Sequence, residues 1–155
     1  MKIAAIGAFC ACLAVGDFPA RAQEVRAGDI VVEKAWARAT PRGADVAAGY
    51  LTIRNTGDVA DRLTGISADF AASAQAHEMR MANGVMIMRA IEGGLSIPAH
   101  GAVTLAPGGS HLMFAGLKDQ LKQGESIKAS LVFERAGTIV VALPVLGLGA
   151  TGLAQ

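Results

Sequence analysis

The sequence predicts an all-β domain, a sandwich or barrel with Greek-key connections. Three observations lead there. Helical periodicity is weak along the whole chain. Short runs rich in β-branched and aromatic residues recur at regular intervals. Turn-forming residues bound them, and 19 Gly and 5 Pro in 155 residues supply enough breaks for many short strands.

Taken in order, Ile30 to Arg38 is the first predicted strand and carries the only tryptophan, Trp36, read as core or scaffold. Thr40-Pro41-Arg42-Gly43 is a turn. Asp45 to Asn55 contains the strand-forming run Gly49-Tyr50-Leu51-Thr52-Ile53 and ends at Asn55-Thr56-Gly57. Asp61 to Ser67 is the next strand, and Ala71 to Met81 with Val85 to Ile91 forms a hairpin. Leu95-Ser96-Ile97-Pro98 follows, with a turn at Ala99-His100-Gly101. Ala102 to Leu105 is a short strand broken by Pro107-Gly108-Gly109. His111 to Phe114 is extended, and Gly116 to Gly124 is expected to hold a helical turn. Ser126 to Arg135 and Thr138 to Leu143 are two strands around Ala136-Gly137. The Gly- and Ala-rich segment from Gly147 to Gln155 is expected to be a loose, flexible tail without a metal role.

The hairpin concentrates the chemistry. Asn83-Gly84 is the strongest two-residue hairpin signal, because both central positions of a type I′ turn need positive φ. Counting outward pairs Ala82 with Val85, Met81 with Met86, Arg80 with Ile87, Met79 with Met88 and Glu78 with Arg89. Side chains alternate across a strand. One face therefore carries His77, Met79, Met81, Met86 and Met88, with His77 diagonal to Met88. The other carries Glu78, Arg80, Ile87 and Arg89, with Glu78 and Arg89 placed for a cross-strand ion pair. His111 and Met113, two apart in an extended segment, also point to one side. Imidazole and thioether together suit a soft cation, above all Cu(I), whereas a hard cation would want carboxylates and carbonyls. The rival reading is that Met81 and Met86 fill the core, as flexible methionines often do.

The N-terminus reads as a cleaved secretory signal over residues 1–22: Lys2, an apolar stretch from Ile3 to Val15, and the small-x-small site Ala20-Arg21-Ala22. That stretch falls short of the ~20 apolar residues that span a bilayer. Both cysteines, Cys10 and Cys12, lie inside it, and Phe9 and Cys10 stand where a lipoprotein site wants Leu and a small residue. The exported chain from Gln23 then has no cysteine. That excludes disulfide stapling, thiol redox chemistry, thiolate zinc sites and the Cys-dependent blue-copper centre. Without Lys2, Asp17 and Arg21 it carries 12 basic and 12 acidic residues. It therefore lacks the basic footprint of a nucleic-acid binder, and it has no amphipathic helix for a membrane surface. Residues 23–146 suffice for one domain with a single core.

Several segments carry a family resemblance: Ala35-Trp36-Ala37-Arg38-Ala39-Thr40-Pro41, Ala48-Gly49-Tyr50-Leu51-Thr52-Ile53, Asp61-Arg62-Leu63, His77-Glu78-Met79, Gly84-Val85-Met86, Pro107-Gly108-Gly109-Ser110-His111-Leu112-Met113 and Gly116-Leu117-Lys118. On these the chain closely resembles the periplasmic PCu(A)C copper chaperones, also called the DUF461 family. The family motif is His, ten residues, Met, about twenty-one residues, then His-x-Met. Here ten residues separate His77 from Met88, and 22 separate Met88 from His111-Leu112-Met113. The extra residue is assigned to a turn between Gly93 and Pro107. The resemblance implies a cupredoxin-like β-sandwich, a monomer, that carries Cu(I) on His77, Met88, His111 and Met113. Met79, outside the strict motif, is kept as an auxiliary ligand because it faces Met88. The resemblance also implies delivery to cytochrome c oxidase, at its Cu(A) or Cu(B) site, through an oxidase subunit or assembly factor. Met81 and Met86 are read as packing or shielding, and His100 as a solvated loop residue.

No Ser-His-Asp grouping, paired acids or phosphate loop stands out, so the chain does not read as an enzyme. A copper buffer or resistance protein that stores the ion would use the same ligands and is the main alternative. A metal-free interaction sandwich is the third reading.

Overall fold

In the computed structural model, the described residues, 23–153, form eleven strands and no helix. The predicted signal segment, its cleavage site and both cysteines lie outside them. The strands are β1 (Val25–Ala27), β2 (Ile30–Arg38), β3 (Val46–Asn55), β4 (Asp61–Ser67), β5 (Ala71–Ala82), β6 (Val85–Ala90), β7 (Leu95–Ile97), β8 (Ala102–Leu105), β9 (His111–Leu117), β10 (Ser126–Phe133) and β11 (Gly137–Leu146). The all-β prediction holds, and most predicted strand limits fall within a residue or two of those found. β1 is an addition: three residues folded back on β2.

Seven of the strands close on themselves. The circuit runs β2-β11-β10-β4-β5-β9-β3 and returns to β2 through the β2–β3 pairing. All contacts around it are antiparallel except β11 with β2. Closure removes most free edges. β1, β6, β7 and β8 lie off this circuit and extend individual strands. The seam between β4 and β5 is the thinnest, held by one residue pair, Ile66 with Ala74.

Alternation fills the interior. Val32, Leu51, Ile53, Leu112, Phe114, Leu131, Val141 and Leu143 are fully or almost fully buried in one apolar cluster. Trp36 is buried, as expected, with Tyr50 beside it at 4.4 Å between ring centroids. Gly49 on β3 stands opposite Leu112 on β9. A Cβ there would lie 2.9 Å from Phe114 Cε2, so a larger residue would push into the core.

The expected helical turn between Gly116 and Gly124 is not there. β9 continues to Leu117, and the chain then runs through turns to Ser126. Gly116 and Gly124 hold φ of +66° and +91°, outside the right-handed helical region. The backbone donors go elsewhere: Lys118 N–H donates to Phe70 O and Leu121 N–H to Thr40 Oγ1. Leu121 is thereby pinned into the core. The predicted tail is described as far as residue 153. Within it, the Arg38 guanidinium donates to Ala150 O at 2.8 Å.

Asp61 is a buried carboxylate that secures the β10–β11 turn. Its Oδ1 accepts from Arg62 N and Arg135 N at 2.7 and 2.9 Å, and Oδ2 from Ala136 N at 3.0 Å. Replacing it by alanine leaves those donors without their partner. Asp61→Ala is expected to cost ~1–3 kcal/mol in urea unfolding. A loss within measurement error would show that water replaces the carboxylate.

Candidate metal centre

The hairpin register is the one read from the sequence. Ala82 pairs with Val85, Met81 with Met86, Arg80 with Ile87, Met79 with Met88 and Glu78 with Arg89. Asn83 and Gly84 take φ of 52° and 78°, as a type I′ turn requires. On the reverse side Glu78 and Arg89 form the expected ion pair at 2.6 Å.

The other edge of β5 supplies what the hairpin alone lacks. β5 pairs antiparallel with β9, and the register sets His77 directly opposite His111 and Gln75 opposite Met113. Directly opposed residues project to the same face. Leu112 and Phe114 point into the core, so His111 and Met113 project outward. Five candidate residues thus share one outer face of three adjacent strands: Met88 on β6, His77 and Met79 on β5, His111 and Met113 on β9. His100 is elsewhere, in a turn with φ of 51°, its Nε2 2.7 Å from Asp58 Oδ1.

The two imidazoles form the centre of this face, with ring centroids 5.9 Å apart and planes at 46°. His111 is buried, and its Nδ1 lies 3.1 Å from Gly109 O. A carbonyl accepts only, so Nδ1 carries the proton there, and in the neutral ring the lone pair is on Nε2. His77 has a buried Nδ1 with no hydrogen-bond partner. A buried polar atom left unpaired is costly, and a metal would satisfy it. Desolvation, with a smaller contribution from the neighbouring His111, holds the His77 pKa below its ordinary 6.5. Both effects favour the neutral form that ligates.

The methionines do not fill the core. Met81, Met86 and Met88 are 61%, 48% and 47% exposed, while Met79 and Met113 are half-buried. The core-packing reading of Met81 and Met86 is therefore wrong: the hairpin projects from the closed circuit, paired only through β5. Among the described residues no three His, Cys, Asp or Glu side chains group to hold a metal. The soft side-chain donors that flank the histidine pair are the methionine sulfurs.

The motif residues follow a diagonal across the three strands. Met88 and Met113 stand at its ends, two strands apart and four residues along, or ~10 Å by ~14 Å in a flat sheet. The histidines lie between. For both sulfurs to touch one ion, the β5–β6 ribbon must coil over the histidine pair. Two-stranded ribbons twist more strongly than wider sheets. Met79, directly opposite Met88 and adjacent to His77 on its own strand, is the nearer sulfur on the hairpin side.

Some solved structures of similar shape contain bound copper. The chain matches a copper-bound PCuAC domain from PmoF2 with a TM-score of 0.69 at 30% identity, over 81% of this chain and 98% of that one. It matches the solution structure of Cu(I)-DR1885 from Deinococcus radiodurans with a TM-score of 0.57 at 30% identity, over 80% of each chain. The apo form of DR1885 matches at 0.60 and 27% identity, over 97% and 100%. The fold is the cupredoxin-like β architecture of these domains. Among curated sequences, “Putative lipoprotein Lxx21020” of Leifsonia xyli subsp. xyli is 38% identical over 129 residues, covering 82% of this chain and 76% of its own length. A family model described as “Putative lipoprotein LpqE-like” matches residues 30–145. By that match and that identity, the chain belongs to the LpqE-like family.

Proposed function

We propose that this protein is a periplasmic copper metallochaperone and not an enzyme. In this reading it carries Cu(I) on His77, Met88, His111 and Met113, with Met79 as an auxiliary ligand, and delivers it to cytochrome c oxidase or a factor that assembles its Cu(A) or Cu(B) site. The observation that carries the reading is the cross-strand pair His77–His111 on an outer face flanked on both sides by thioethers. The copper-bound similar structures support the cargo.

The chemistry suits transfer. Imidazole and neutral thioether favour Cu(I), and thioethers, unlike thiols, form no disulfides in an oxidising compartment. His111 is held by Gly109 O and forms the fixed half of the site. The exposed methionines of the hairpin form the loose half. An acceptor's ligands can then replace Met88 or Met79 first, while the imidazoles still hold the ion.

Met88→Leu removes a sulfur from a half-exposed position. Cu(I) affinity, measured against a competing chelator, is expected to fall at least tenfold, with stability changed by under ~0.5 kcal/mol. Unchanged affinity would transfer the role to Met79.

Cu(I) affinity is expected to weaken as pH falls through the mildly acid range. The sign follows from His77: its lowered pKa keeps it neutral to a lower pH than an ordinary histidine, and protonation then competes with the metal. A decline well under way at neutral pH would contradict this.

Deleting the gene is expected to lower cytochrome oxidase assembly when copper is scarce, with rescue by added copper through mass action. If oxidase activity is untouched and only copper tolerance falls, the protein stores copper and does not deliver it.

A further inference from the structure

The tip of the hairpin carries sulfur that the four-residue site does not use. In a two-residue hairpin the pair flanking the turn exchanges both hydrogen bonds. The pairs Met81–Met86 and Met79–Met88 are therefore the closely spaced, non-hydrogen-bonded kind, with Cα atoms ~4.5 Å apart. The two pairs are successive rungs on one face, ~7 Å apart along the strands. Four thioethers thus border a patch of ~5 by ~7 Å. Each sits on a flexible side chain able to turn inward.

Nothing in the fold accounts for methionine here. Met81 is 61% and Met86 48% exposed, on an edge ribbon that usually carries charged or polar residues to remain soluble. No charged side chain shares their face, since Glu78, Arg80 and Arg89 project from the reverse. The stripe also leads directly to the imidazole pair, because Met79 is the next outward-facing residue after His77 on β5.

We infer that Met79, Met81, Met86 and Met88 form a second, all-thioether Cu(I) site at the hairpin tip, through which copper enters and leaves the histidine site. The inference rests on the copper reading above. Met79 and Met88 border both sites, so an ion can pass inward by exchanging Met81 and Met86 for His77 and His111, one ligand at a time, without being released. No electron or proton transfer is involved. Lacking imidazole, the outer site is the weaker of the two.

The test is an anaerobic Cu(I) titration of the protein with ¹³C-methyl-labelled methionine, followed by NMR. The first equivalent is expected to shift the Met88 and Met113 methyl signals, and the second those of Met81 and Met86. In a His77→Ala/His111→Ala variant, one Cu(I) should still bind with a sulfur-only shell by X-ray absorption. Adding Met81→Leu and Met86→Leu should weaken that binding at least tenfold. Met81 and Met86 signals that stay fixed through two equivalents overturn the inference, as does unchanged binding after the leucine substitutions. A first equivalent that leaves Met88 and Met113 unmoved counts instead against the histidine site.

Discussion

The pairing of β5 with β9 is the constraint on which the candidate site depends. It places His77 opposite His111 although 33 residues lie between them in the chain. A slip of one residue would turn one imidazole into the core and an apolar residue out to solvent. The slip is prevented from inside: Ala76, Leu112 and Phe114 occupy the buried face of the same two strands, and Phe114 is fully enclosed. Core packing therefore sets the geometry of a site that makes no contribution to the core.

Rigidity is graded across the site. β9 lies within the closed circuit, flanked by β3 and β5, and the Gly109 carbonyl fixes the ring of His111. β5 belongs to the circuit at its start and to the projecting hairpin at its end. β6 pairs only with β5. The candidate ligands thus run along one diagonal from the closed circuit to the projecting hairpin, from His111 through His77 to Met88. A carrier benefits from that gradient, since a wholly rigid shell would hold its ion against exchange and a wholly mobile one would bind weakly.

Much of this was legible in the sequence, for local reasons. Asn83-Gly84 fixes a register that counting alone recovers, down to the Glu78–Arg89 ion pair. The non-local parts were not. Nothing in the linear pattern says that β9 lies beside β5 rather than beside β8, so the histidine pair and the partner of Met113, Gln75, emerged only in three dimensions. The sequence reading places a helical turn between Gly116 and Gly124. The donors of Lys118 and Leu121 instead found partners in distant segments, which no local propensity encodes. Core filling was the default for Met81 and Met86, and their exposure overturned it: an amphipathic stripe does not reveal whether its apolar face is covered.

The central claim is that one Cu(I) binds across β5 and β9 with nitrogen and sulfur in a single shell. X-ray absorption on the protein loaded with one equivalent of Cu(I) tests it most directly. The account predicts a mixed shell of imidazole nitrogen and thioether sulfur. A shell of nitrogen alone, or of sulfur alone, would contradict it.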